Sequence, residues 1–212
     1  MPPKQPRSQS AASRVYLLIY NTTCAFIWLR ILFTAATSLI SSPDVATFPL
    51  AYRTLEPWTR FAQTLAIAEI LHAATGITRA PVFTTFTQSF ARSVQVWAIN
   101  YAFPKVTAPS PAYLVMLLAW STADVVRYLY FAIMLAGSSI AEILKWSRYS
   151  LFIVLYPVGI SSEWWLMYKA TTVTSNMTVM GIFYFFLALY VPGSVMMYSY
   201  MLKQRRKVLT QG

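Results

Sequence analysis

Apolar residues gather along the chain into six runs, parted by short segments rich in proline, charge or small polar residues. About 20 apolar residues make a helix long enough to cross the hydrocarbon core of a bilayer. The runs fit residues 16–40, 58–76, 82–103, 112–136, 149–168 and 178–201. Residues 41–57 hold Pro43, Asp44, Pro49, Arg53 and Glu56 and read as a loop; residues 104–111, with three prolines, read as a turn. The third run is weakly apolar, with Gln88, Arg92, Gln95 and Asn100 among its polar positions, so it is expected to face other helices or a water-filled cavity. The pattern predicts an all-α, polytopic transmembrane helix bundle of six spans. One membrane domain would occupy residues 15–202, between a flexible basic tail at 1–14 and a basic tail at 203–212.

Composition supports the membrane class. The chain is 57% hydrophobic and only 11% charged, with mean hydropathy +0.51; a soluble domain carries about 25% charge. The net charge of +11 is concentrated at the ends. Lys4, Arg7 and Arg14 precede the first run, and Lys203, Arg205, Arg206 and Lys207 follow the last. The positive-inside bias then puts both termini in the cytosol, in agreement with six spans, which return the chain to its starting side. Lys105 and Lys169 fall on the opposite side and blur that bias. Basic tails beside apolar runs argue against a nucleic-acid partner and fit an anionic lipid headgroup. One cysteine, Cys24, and one histidine, His72, leave no intrachain disulfide and no Cys/His metal site. The first run is too long for a secretory signal core and reads as a retained span.

The chemistry centres on one carboxylate. The acidic residues are Asp44, Glu56, Glu69, Asp124, Glu142 and Glu163. Glu163 falls in an apolar run, where a carboxylate is costly and so a functional candidate. It ends the stretch Tyr156-Pro157-Val158-Gly159-Ile160-Ser161-Ser162-Glu163. Seven residues are about two helical turns, which returns Tyr156 and Glu163 to one face. Two readings stand: an acid/base pair flanking a substrate, or a hydrogen-bonding Tyr156 with Glu163 paired to Lys169 or solvent. Asp124 and Arg127, three apart in the fourth run, are expected to form a structural ion pair. Glu69 and Arg92 are candidates to pair across helices. Arg79, Lys145 and Arg148 are either anion contacts or only part of the positive-inside bias. His72 through Arg79 has the spacing of a tyrosine-phosphatase loop, but Ala73 stands where the thiolate nucleophile must be, which excludes that chemistry. The sequons at Asn21 and Asn176 lie in or against spans, so glycosylation is not expected there.

Longer ordered stretches carry a resemblance. They are Tyr16-Leu17-Leu18-Ile19-Tyr20-Asn21 with Trp28, Leu71-His72 through Arg79-Ala80-Pro81, and Thr84-Thr85 with Gln88 and Arg92. Trp120 with Asp124-Val125-Val126-Arg127-Tyr128 follows, then Trp146-Ser147-Arg148-Tyr149-Ser150-Leu151-Phe152 running into Leu155-Tyr156-Pro157-Val158-Gly159 and Glu163. Over these stretches the chain resembles the 3-hydroxyacyl-CoA dehydratase family, also called protein-tyrosine-phosphatase-like. Two positions depart from it: Ala73 stands where many members have Cys, and Arg79 where many have Pro.

The resemblance implies dehydration of (3R)-3-hydroxyacyl-CoA to trans-2-enoyl-CoA, the third step of very-long-chain fatty acid elongation, in the endoplasmic reticulum membrane. It implies Tyr156 and Glu163 as the catalytic pair, with no metal or organic cofactor. Its partners would be the acyl-CoA substrate, the bilayer, and the condensing enzyme, ketoacyl reductase and enoyl reductase of the same cycle. Arg79, Arg148, Gln88, Arg92 and Tyr149 are the candidate substrate contacts. An inactive scaffold of the elongation enzymes or a small transporter are the rival readings. The intact Tyr156/Glu163 pair and the lack of evident repeated halves speak against them. With the fifth run ending at 168, Glu163 lies towards the far side, and access for a water-bound CoA ester is an open problem.

Overall fold

The computed structural model describes residues 10–41, 47–140 and 142–210. They form α1 (Ala11–Ser41), α2 (Thr47–Ala66), α3 (Ala68–Ala74), α4 (Val82–Ser93), a π-helical continuation (Val94–Tyr101), α5 (Pro104–Thr107), α6 (Pro111–Ala136), α7 (Glu142–Ser150), α8 (Phe152–Val173) and α9 (Met177–Thr210). No strand occurs among the described residues. Among the described residues, four segments are long and apolar enough to cross a membrane: Ala11–Ile40, Pro111–Ala136, Glu142–Val173 and Met177–Leu209.

The helices α1 and α6 pack along much of their length; α8 packs on α6, α9 on α8, and α2 on α1. Trp28, Ile31, Leu117 and Tyr128 are enclosed between α1 and α6, while Leu166 and Met167 turn inward from α8. Large apolar side chains such as Phe33, Phe83, Phe185 and Met196 face outward. A soluble protein rarely exposes so much contiguous apolar surface; against lipid tails it costs nothing.

The helix ends follow from local chemistry. Pro111 begins α6 in the first turn, where its missing N–H is not needed. At the other end Gly137 takes φ +79°, and Ser138 N–H closes back on Ile133 O at 3.3 Å. Arg14 lies over this glycine and donates from Nε to Leu135 O at 2.6 Å, placing a cation at the negative end of α6. Asn176 Oδ1 accepts the N–H of Thr178 at 3.0 Å and of Val179 at 3.2 Å, capping α9. Asn21 is buried and donates to Leu17 O at 2.6 Å.

Four boundaries need correction. Residues 11–14, expected in a flexible tail, are the first turn of α1; residues 1–9 of that tail, and the tail residues 211–212, lie outside the described residues. The expected loop 41–57 is helical from Thr47 onward, while its residues 42–46 also lie outside the described residues. Pro49 falls in the first turn of α2, where a proline is harmless; Pro57 sits inside the helix. The link 137–148 turns helical at Glu142, and α8 runs on to Val173 rather than ending near 168. Glu163 therefore stands at the middle of α8, not near its end.

Candidate active site

Three helices meet at Glu163. Its side chain is buried, with both carboxylate oxygens occupied. Trp120 Nε1–H on α6 donates to Oε1 at 2.7 Å, and the Tyr190 hydroxyl on α9 donates to Oε2 at 2.9 Å. Gly159 faces α6 closely: a Cβ there would sit in ordinary van der Waals contact with Trp120 Cδ1 at 3.6 Å and Ala119 Cβ at 3.7 Å, so an alanine fits and atoms beyond Cβ would press on the indole. Trp120 can only donate, so Oε1 is held as an acceptor in either protonation state of the acid.

Tyr156, half-buried two turns earlier on α8, stacks on Tyr198 of α9 with ring centroids 6.1 Å apart. Pro157 follows it inside the helix and cannot donate to the Ile153 carbonyl. Pro192 does the same in α9 near Tyr190. Both helices thus carry a break in backbone bonding beside the site. A groove of about 250 Å³ opens between them, lined by Pro157, Ile160, Ser161, Trp164, Tyr190, Val191 and Ser194.

Behind Trp120 lies a charged chain. Arg92 stands over the indole at 4.1 Å from its centroid and reaches Asp124 Oδ2 with Nη2 at 2.6 Å. Asp124 Oδ1 also meets Arg127 Nη2 at 3.1 Å, the spacing-three pair on α6. Arg127 Nη1 continues to Glu69 Oε2 at 2.7 Å, and the Tyr128 hydroxyl donates to Glu69 Oε1. Glu69 and Arg92, candidates to pair with each other, are instead joined through Asp124 and Arg127. His72 is buried and shares a 2.8 Å hydrogen bond with the Tyr16 hydroxyl, its rings packed against Tyr16 and Tyr20.

The candidate substrate contacts do not gather in one place. Arg148 and Tyr149 border a smaller cleft of about 120 Å³ with Phe152, Met201 and Gln204, at the N-terminal end of α8. Arg148 also stacks over Phe131 and Tyr130, at 4.4 and 4.7 Å. Arg79 is exposed in the turn after α3, and Gln88 is exposed on α4; neither lines the groove or the cleft. Arg92 is engaged by Asp124 and Trp120.

Removing the indole N–H alone tests what Trp120 does. In Trp120→Phe an aromatic face stays beside Arg92 but Oε1 loses its donor. Turnover should fall roughly tenfold, the usual scale for one hydrogen bond to a charged group, with the Michaelis constant little changed. A purely structural indole would alter only the amount of folded protein.

Comparison with known proteins gives a consistent picture. The family described as protein tyrosine phosphatase-like protein, PTPLA, matches residues 63–211. The chain is 36% identical to very-long-chain (3R)-3-hydroxyacyl-CoA dehydratase PASTICCINO 2A of Oryza sativa subsp. japonica, covering 95% of this chain and 96% of that one. It is 35% identical to a probable very-long-chain (3R)-3-hydroxyacyl-CoA dehydratase of Schizosaccharomyces pombe, over 91% and 92% of the two chains. Against very-long-chain (3R)-3-hydroxyacyl-CoA dehydratase 2 of Homo sapiens it is 30% identical, over 92% and 81%. No solved structure matches the chain.

Proposed function

The chain belongs to the protein tyrosine phosphatase-like PTPLA family, and from that premise we propose that it is a hydro-lyase converting (3R)-3-hydroxyacyl-CoA to trans-2-enoyl-CoA. The observation that carries the chemistry is Glu163, an acid buried at the middle of an apolar helix, with Tyr156 two turns away on the same helix. Relatives similar over nearly the whole chain and named as very-long-chain dehydratases supply the substrate class.

Dehydration needs a base at C2 and an acid at the C3 hydroxyl. In our proposal Glu163 takes the C2 proton, and the C2–H electrons form the C2=C3 bond as the C3–O bond breaks. Tyr156 donates its proton to the departing oxygen, which leaves as water. Proton transfer from Glu163 back to Tyr156 restores both groups. The reaction is redox-neutral and its atoms balance without a cofactor. Trp120 and Tyr190 keep the carboxylate in one orientation, so little reorganisation is needed at the moment of transfer.

We further propose six spans, with α2–α3 and the α4–π rod crossing alongside the four more apolar segments. Part of their low hydropathy comes from Glu56, Thr59, Gln63, Gln95 and Asn100, all of which are buried, while Arg53, Thr54, Thr87 and Gln88 are exposed. Both termini would then be cytosolic. A 3-hydroxyacyl ester is the product of a ketoacyl reduction, and the enoyl product is the substrate of a reductase. That sequence suits a place in the endoplasmic reticulum membrane beside the condensing and reducing enzymes of fatty acid elongation.

The direct experiment supplies purified protein in detergent with a long-chain (3R)-3-hydroxyacyl-CoA and follows the enoyl product. Absence of product from well-folded protein rejects the proposal. Arg148→Ala should raise the Michaelis constant for the CoA ester about tenfold, as expected for one lost charge-assisted contact, and lower turnover much less. A change in protein abundance alone would make Arg148 structural.

A further inference from the structure

We propose that the seam between α8 and α9 is the seat of the substrate, with a fixed polarity. The CoA end lies at the cleft bordered by Arg148 and Gln204, and the acyl chain lies in the groove between Trp164 and Ser194. The inference rests on the dehydratase reading and adds where, and in which direction, the ester is held.

Two openings lie along this one seam, and they differ in the sense an acyl-CoA requires. The cleft carries a guanidinium, from Arg148, beside the Gln204 amide. The groove carries no charged residue. Its two serines spend their hydroxyl protons on their own helices: Ser161 donates to Pro157 O at 2.8 Å and Ser194 to Val191 O at 3.0 Å. They present small side chains rather than free donors, which suits a hydrocarbon chain. The aromatic rings of Tyr156 and Tyr198 lie between the two openings, with Phe152 edge-on to Tyr198 at 5.8 Å. Phe152 and Ile160, one at each opening, are about 12 Å apart along the helix.

The groove is also continuous with the chemistry. Tyr190 forms part of its wall and donates to Glu163 Oε2 at 2.9 Å. A chain lying there has its first carbons one side chain from the carboxylate. The groove faces the outer, apolar side of the bundle, where Val191 and Val195 are exposed, so a long chain can pass from it into lipid. Such a seat also removes the access problem. The CoA stays at the polar end of α8, and the acyl part alone reaches the level of Glu163.

Two measurements decide this. Filling the groove with Ser194→Phe, or with Ser161→Leu from the facing helix, should lower the ratio of long-chain to short-chain kcat/KM roughly 15- to 60-fold, the effect of two or three methylenes losing an apolar site. Leu29→Phe, on the outward face of α1 away from this seam, should leave that ratio unchanged. Equal loss at all chain lengths, or the same effect from Leu29→Phe, overturns the proposal. The second measurement uses the unaltered protein and an acyl-CoA carrying a photoreactive diazirine in mid-chain. Label should appear on α8 and α9 around Trp164 and Val191, and excess unlabelled acyl-CoA should displace it. Label confined to other helices, or label that excess acyl-CoA does not displace, overturns it. Labelling requires binding but no turnover. Protein that labels there yet makes no enoyl product would sink the dehydratase reading and leave the seat standing.

Discussion

Glu163→Gln lowers dehydratase turnover by roughly 100- to 10,000-fold, the range general acid–base groups contribute, while the protein still inserts and accumulates. The substitution keeps shape and size and removes the ability to take a proton. An amide oxygen can still accept from Trp120 or Tyr190, so the three-helix junction loses little. Tyr156→Phe should give a loss of similar order for a different reason. It keeps the ring stacked on Tyr198 and deletes only the hydroxyl. Turnover measured in membranes, normalised to protein amount, separates the two effects from folding. Near-normal rates in either variant would remove that residue from the mechanism. If Glu163→Gln is silent and Tyr190→Phe is not, the acid belongs to the fold and the phenol on α9 to the chemistry.

What the sequence could reveal depended on how local each feature is. The apolar runs and the Tyr156–Glu163 spacing are properties of single helices, and periodicity reads them directly. The same holds for Asp124 and Arg127, three apart on α6 and joined at 3.1 Å. Trp120 and Tyr190 escape such a reading, because the former comes from 43 residues before Glu163 and the latter from 27 after it. No spacing rule connects positions on different helices. Tyr190 did carry a faint signal, as a phenol beside Pro192-Gly193 that mirrors Tyr156 beside Pro157. The expected loop is helical over residues 47–57 for an instructive reason. Prolines and charges suggested a turn, yet Pro49 is in a first turn and Glu56 is buried 3.1 Å from Arg60. In a bundle whose outer face meets lipid, charged positions mark the inside of a helix as readily as its absence.

The ion-pair chain behind Trp120 should prove as important to stability as Glu163 is to turnover. Asp124 is almost wholly enclosed and touches two guanidinium groups, at 2.6 and 3.1 Å. Asp124→Ala removes the only acid contacting Arg92 among the described residues, whereas Arg127 keeps Glu69. Breaking a buried pair by deleting one partner typically costs about 3–5 kcal/mol, because the remaining charge is left uncompensated. Thermal unfolding in detergent should show that loss, and turnover should fall as well, since Arg92 lies 4.1 Å from the indole that holds Glu163. The double variant Asp124→Ala/Arg92→Met then discriminates. If the cost is the stranded charge, removing it should restore roughly 1–3 kcal/mol of stability, the range of coupling between contacting residues. If the double variant is as unstable as the sum of the two single ones, the pair acts through packing alone and the charged chain is incidental to the fold.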